Sequence, residues 1–319
     1  MNALYRRLDV TECGFLVVGL VLVALAWVIP GWLMFLLTIS LAKALVVLGV
    51  VLQMRAGLVS FGQALFYSIG GYGAGMGAQM LGINDAFLLL IIGVACAVVV
   101  AMVCGLLLSK YRDIFFAMLT LALSMILYGV LVKSSFMGST DGFNVPPASY
   151  LGWVPTAANK QLANYLLAVG LGLIGAIAFH KLIISSVGGM TEAVRENEVR
   201  VDYLGLSPQS LVFINYVSAA AISALGGGLT ALATGHVDPD MAFWTTSGEF
   251  VFIAILGGTG HVAAPFVGAL VFSAIRTYAI QEAPNTWQMT LGVVLLVLVL
   301  FLPKGLWSLG EKFSKGVKA

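Results

Sequence analysis

The chain has 319 residues, of which 60% are hydrophobic and 9% charged, with a formal net charge of +2 and a mean hydropathy of +1.02. Apolar runs recur that approach the roughly 20 residues needed to cross a hydrocarbon core, which excludes a water-soluble fold. No basic patch with interleaved aromatics is present, so nucleic acid is excluded as a partner and the lipid bilayer is the expected surroundings.

Arg6, Arg7 and Asp9 precede an apolar stretch longer than a signal-peptide core, without a small-residue cleavage site, so a retained first span is expected. Uninterrupted hydrophobicity predicts ten membrane segments: Gly14 to Leu37, Thr38 to Met54, Ala56 to Leu81, Ala86 to Ser109, Ile114 to Val132, Leu162 to Ile184, Pro208 to Thr234, Phe250 to His261, Pro265 to Gln281 and Trp287 to Leu302. No polar loop divides the first two, and the eighth is short enough to be tilted or re-entrant. The expected fold is therefore all-α and polytopic, one transmembrane domain over residues 1–319 with re-entrant or broken helices and an internal pseudo-repeat.

Short cytoplasmic loops are enriched in Lys and Arg. Ten crossings with both termini inside put twelve of the sixteen Lys and Arg residues in the cytoplasm, with Lys133 and Lys160 in outside loops. Lys43 is then expected near the outer end of the second span, snorkelling to the interface. Cys13, Cys96 and Cys104 lack CxxC spacing and read as packing residues.

The third segment is uncharged yet crowded with Gly57, Gly62, Gly70, Gly71, Gly73, Gly75, Gly77 and Gly82. Such a run either lets another helix approach closely or breaks the helix where backbone groups line a polar path. Ser60, Gln63, Ser68 and Tyr72 add hydrogen-bonding side chains there and are candidate pathway residues. Intramembrane ionisable groups are functional suspects, so Glu249, at the outer edge of the eighth span, and Arg276, in the ninth, join them. His236 with Asp238 and Asp240 is too common a grouping to predict a metal site, and none is expected. The outside loop 134–161 offers Asp141, Tyr150 and Trp153 among prolines and aromatics, a stiff surface for protein contact or for interfacial anchoring.

Residues 188–207 interrupt the apolar pattern with a run of charge. Gly188 and Gly189 are expected to end one helix, and Thr191 to cap a surface helix of about four turns. Glu192 lies in its first turn, and Glu196 and Arg200 share a face four residues apart. Gly205 suits a left-handed stop, and Ser207-Pro208 restarts a membrane helix. A coupling helix and a merely solvated loop both fit these signals.

This loop, from Glu192 and Ala193 through Arg195, Glu196 and Glu198 to Arg200 and Gly205, resembles the one by which branched-chain amino acid ABC importer permeases meet their ATPases. The glycine-rich run from Arg55 to Gly73, the Tyr111 to Ala122 span with Gly138 to Gly142, and Gly257 to Ala269 resemble the same family, and segment order and length favour its M-type subunit. Gln63 and Val262 to Ala264 depart from the family pattern, which leaves the cargo open. The resemblance implies a bacterial inner-membrane permease subunit without its own ATPase site, and no GxxxxGK[ST] phosphate loop occurs in the chain. It also implies a second homologous permease, two ABC ATPases carrying ATP and Mg, and a periplasmic binding protein docking on the outside loop. Branched-chain amino acids are the expected cargo; urea, short amides or aromatic acids are alternatives, and an ion-coupled carrier is a further one. No cofactor is expected on this chain.

Overall fold

The computed structural model describes residues 10–156, 159–282, 284–302 and 305–308. Among them are the helices α1 (Val10–Leu25), α2 (Gly31–Arg55), α3 (Gln63–Met80), α4 (Ala86–Leu108), α5 (Asp113–Lys133) and α6 (Lys160–Ile184). There follow α7 (Ser186–Glu196), α8 (Glu198–Tyr203), α9 (Pro208–Thr234), α10 (Trp244–Gly257), α11 (Ala264–Glu282) and α12 (Trp287–Phe301). Five of these, α2, α4, α5, α6 and α9, are long and apolar enough to cross a membrane, and the fold is an α-helical multi-pass bundle. Arg6, Arg7 and Asp9 lie outside the described residues.

The boundaries follow local chemistry. Asp85 caps α4 by accepting from the Phe87 and Leu88 N–H groups, and Ser207 with Pro208 opens α9 as expected. The break between the first two helices falls at Ala26 to Pro30 rather than at Leu37, because Pro30 sets an extended residue that α2 can start from but not continue through. Lys43 thereby moves from an expected helix end to the midpoint of α2. The third segment is also shorter than expected: residues 56–62 are non-helical, and α3 begins only at Gln63.

At the centre, α9 packs along α2, α3 and α4. The contact is made by backbone. A Cβ on Gly227 would lie 1.8 Å from the Tyr67 carbonyl oxygen, and one on Gly70 2.1 Å from that of Ala224. The glycines of α3 therefore serve close approach, and α3 runs unbroken from Gln63 to Met80. At one end of the bundle a two-residue ribbon joins β1 (Phe143–Asn144) to β2 (His236–Val237), with Phe143 opposite Val237. The other end carries α7 and α8 and is called the α7 end below.

Overpacking a filled interface costs about 1–3 kcal/mol or more. Gly227→Ala is expected to lower the thermal unfolding temperature of the detergent-solubilised chain, whereas Gly129→Ala, whose Cβ would meet nothing within 4 Å, leaves it unchanged or slightly higher. Tryptophan fluorescence on heating distinguishes the two.

Candidate functional site

The charged interruption folds as two helices meeting at a bend. Ser185, not Thr191, caps α7, with its hydroxyl accepting from Gly188 N–H, so Gly188 and Gly189 lie inside the helix instead of ending α6. Asn197 is extended, at φ −164°, and its side chain caps α8 by accepting from Arg200 N–H. This bend divides the expected single helix and puts Glu196 and Arg200 on different helices, so they share no helical face. Gly205 takes φ +80°, the left-handed stop its position implied.

The pair is two-faced. Thr191, Val194 and Val201 are buried against the bundle, while Glu192, Ala193, Arg195, Glu196, Arg200 and Gly205 are exposed and Glu198 is half-buried. Val199, Tyr203 and Leu204 are also exposed, Tyr203 at 88%. These three apolar side chains were not singled out from sequence, since Val, Tyr and Leu raise no suspicion until the helix shows them facing outward. An apolar cluster beside charges on an outer face suits contact with another protein.

This end is fastened to the bundle at a few points. Arg55, closing α2, pairs with Glu192 at 3.6 Å, and Arg112, just before α5, pairs with Glu198. The turn after α2 passes beneath α7: Gly57 takes φ +78°, and a Cβ there would sit 3.2 Å from Arg195 Cγ. Deeper, Asn215 of α9 donates through Nδ2 to Thr191 Oγ1 at 2.9 Å, and Thr191 in turn donates to Val187 O.

Two helices begin inside the bundle. From the α7 end the chain re-enters through residues 56–62, where Phe61 N–H donates to Thr120 Oγ1 on α5 and Gly62 N–H to Ser60 Oγ. From the other end, the segment after β2 dips inward until Ala242 O accepts from Ser124 Oγ, midway along α5. There α10 starts. It is 14 residues long, about 21 Å at 1.5 Å per residue, which is short of the roughly 30 Å hydrocarbon core. The first turns of α3 and α10 meet, with Ala64 N–H donating to Ser247 Oγ at 3.0 Å. Gln63 Oε1 accepts from Ser223 Oγ of α9 at 2.7 Å. Of the other pathway candidates, Ser60 and Ser68 are buried near this junction, Ser68 donating to Leu65 O, while Tyr72 lies three turns along α3, edge-on to Phe143.

Glu249, Lys43 and Arg276 form one cluster linking α10, α2 and α11. Lys43 Nζ donates to Glu249 Oε1, and Arg276 Nη1 lies 3.1 Å from both carboxylate oxygens. Lys43 is 7% exposed and sits 5.8 Å from the Phe272 ring centroid, so the expectation of snorkelling is corrected to buried pairing. Glu249 is in the second turn of α10 rather than at an outer edge. Such clusters register helices against one another more than they add net stability, but removal of one partner is costly.

In the 134–161 loop, Tyr150 is a peg. Its hydroxyl donates to Asn164 Oδ1 of α6, and burial pushes its pKa up to about 12. Asp141 and Trp153 are exposed, together with Leu151 at 82% and Val154 at 68%. His236 faces Asn144, with Nδ1 2.9 Å from Oδ1.

The site thus consists of a two-faced helix pair at one end, two helices that start in the interior and a buried ionic cluster. Residues 32–301 match the family described as branched-chain amino acid transport system / permease component. The chain belongs to that family. It is 23% identical to the high-affinity branched-chain amino acid transport system permease protein LivM of Escherichia coli, over 91% of this chain and 73% of that protein. The likeness to LivH of Salmonella typhimurium is also 23%, over 78% of this chain and 85% of the relative. BraD of Pseudomonas aeruginosa is 21% identical over 85% and 92%. No solved structure matches. In this permease the M-type and H-type likenesses are equal in identity, and more of the chain aligns with the M-type.

Glu249→Gln leaves Lys43 and Arg276 facing each other without their shared carboxylate, and loss of one partner from a buried pair costs about 3–5 kcal/mol. Lys43→Met leaves Glu249 paired with Arg276. Glu249→Gln is therefore expected to lower the unfolding temperature more than Lys43→Met; the reverse order contradicts this account of the cluster.

Proposed function

We propose that the chain is the membrane permease subunit of a binding-protein-dependent ABC importer, with branched-chain amino acids as cargo and movement driven by separate ATPases. The observation that carries this reading is the exposed α7–α8 face, fastened to the α2–α3 turn and to α5 by Arg55–Glu192 and Arg112–Glu198. Family membership supports it, and the names of the relatives supply the cargo.

In this reading the α7 end is cytoplasmic, the ten apolar helices cross or enter the inner membrane, and both termini are inside. Two ATPases holding ATP and Mg close on nucleotide and press on α7 and α8 of this chain and of a second homologous permease. Rigid-body tilting then alternates access across the bundle. The load is passed to α2 through Arg55, to α5 through Arg112 and to α9 through Asn215. At the opposite end, Asp141, Trp153, Leu151 and Val154 receive a substrate-loaded binding protein, while Tyr150 holds that loop in place. An ion-coupled carrier needs a membrane-buried acid free to exchange its proton. Glu249, which sequence alone could have offered for that task, is held by two cations.

Co-expression with the ATPases, a second permease of the family and a binding protein is expected to give a complex that imports leucine into proteoliposomes only with ATP. Alanine at both Glu196 and Arg200 is expected to lower ATPase recovery with the permease at least tenfold. Intact assembly and uptake in that double variant, or leucine transport by the purified chain alone, overturns the proposal.

A further inference from the structure

The meeting of α3 and α10 is a position, not assigned by the family likeness, with a chemical preference of its own. Both helices start inside the bundle, and their first turns are joined by Ala64 N–H to Ser247 Oγ. Each helix start carries roughly half a positive charge and N–H groups with no intrahelical acceptor. Gln63 is the first residue of α3 and is fully buried. Helical side chains lean toward the N-terminus, which carries its carboxamide back past the start of α3. There Oε1 is occupied by the Ser223 hydroxyl, while Nε2 has no acceptor. A buried donor left unmet is costly, so this amide is poised for an acceptor that arrives from outside the fold.

Toward the α7 end the unmet polarity continues: both side-chain atoms of Gln53 and Oδ1 of Asn215 are buried without partners. Gln53 stands one turn beyond Gly49, whose Cβ would lie 2.7 Å from Ser223 Oγ.

We propose that the first turns of α3 and α10, with the Gln63 Nε2 donor, form the position on the translocation path that holds the carboxylate of the cargo. The inference rests on the importer reading and locates that contact. In the conformation described the position is occluded, and it opens as the two first turns part. A neutral amide gains little from the partial positive charge of two helix starts. A carboxylate gains from both and satisfies the orphan amide.

Two measurements test it. The full-length chain in nanodiscs is heated with isovalerate or with isovaleramide, which keeps the hydrocarbon and loses the charge. Isovalerate is expected to raise the unfolding temperature, isovaleramide is not, and the shift is expected to vanish in Gln63→Glu and Gln63→Leu but to persist in Gln63→Asn. Equal shifts by both probes, no shift by isovalerate, or a shift kept in Gln63→Leu overturns the site. In the assembled importer at saturating leucine-loaded binding protein, Gln63→Leu is expected to slow import at least tenfold and Gln63→Asn less than threefold; an unchanged rate in Gln63→Leu overturns the site. If the wild-type complex imports nothing while the nanodisc shift holds, the importer reading fails and the carboxylate site stands.

Discussion

The bundle depends on backbone-to-backbone contact along α9. With no water to expel between membrane helices, their association rests on van der Waals packing and interhelical hydrogen bonds. Gly227 and Gly70 allow α9 and α3 to touch at carbonyl oxygens, and Gly226 of α9 and Gly49 of α2 do the same between those two helices. Helices this close leave little space between them for side chains. Ser223, Gln63 and Ser247 are therefore confined to short, specific hydrogen bonds, and an atom with no partner in that wall is conspicuous. The candidate binding position is a product of the tight packing around it.

Much of the helix order could be read from hydropathy, because apolar length is a direct requirement of the bilayer. Where a break falls is a subtler matter. Between Gly14 and Met54 nothing polar marks a boundary, and Pro30 alone decides it; a boundary placed at Leu37 carried Lys43 to the wrong depth and gave it the wrong role. In the third segment the glycines signalled either close contact or interruption. The helix is interrupted, but at residues 56–62, before most of the glycines, and the remainder serve contact. Composition could not separate these uses, since both select a residue without a side chain.

The site was legible in its parts and not in its grouping. The charges of residues 192–200 were visible at once, as was the Gly205 to Pro208 punctuation. The bend at Asn197 was hidden, because an Asn within a charged run suits a helix interior, a cap or a loop, and tertiary packing of Thr191 and Val201 decides among them. Glu249, Lys43 and Arg276 each drew notice as ions in apolar sequence. Their meeting across 206 and 27 residues of separation is a fact of tertiary packing that no local pattern carries.

The two attachments of α9 differ in kind. Along its middle it is wedged by carbonyl contacts that cannot yield without moving whole helices, whereas near its start it meets α7 and α8 through side chains, the Asn215 amide on Thr191 and an apolar cluster of Val194 and Val201 with Leu211 and Val212. Side chains can change rotamer where backbone cannot, so the α7 end of α9 is the more yielding of its two attachments, and its middle is the part that moves only together with α2 and α3.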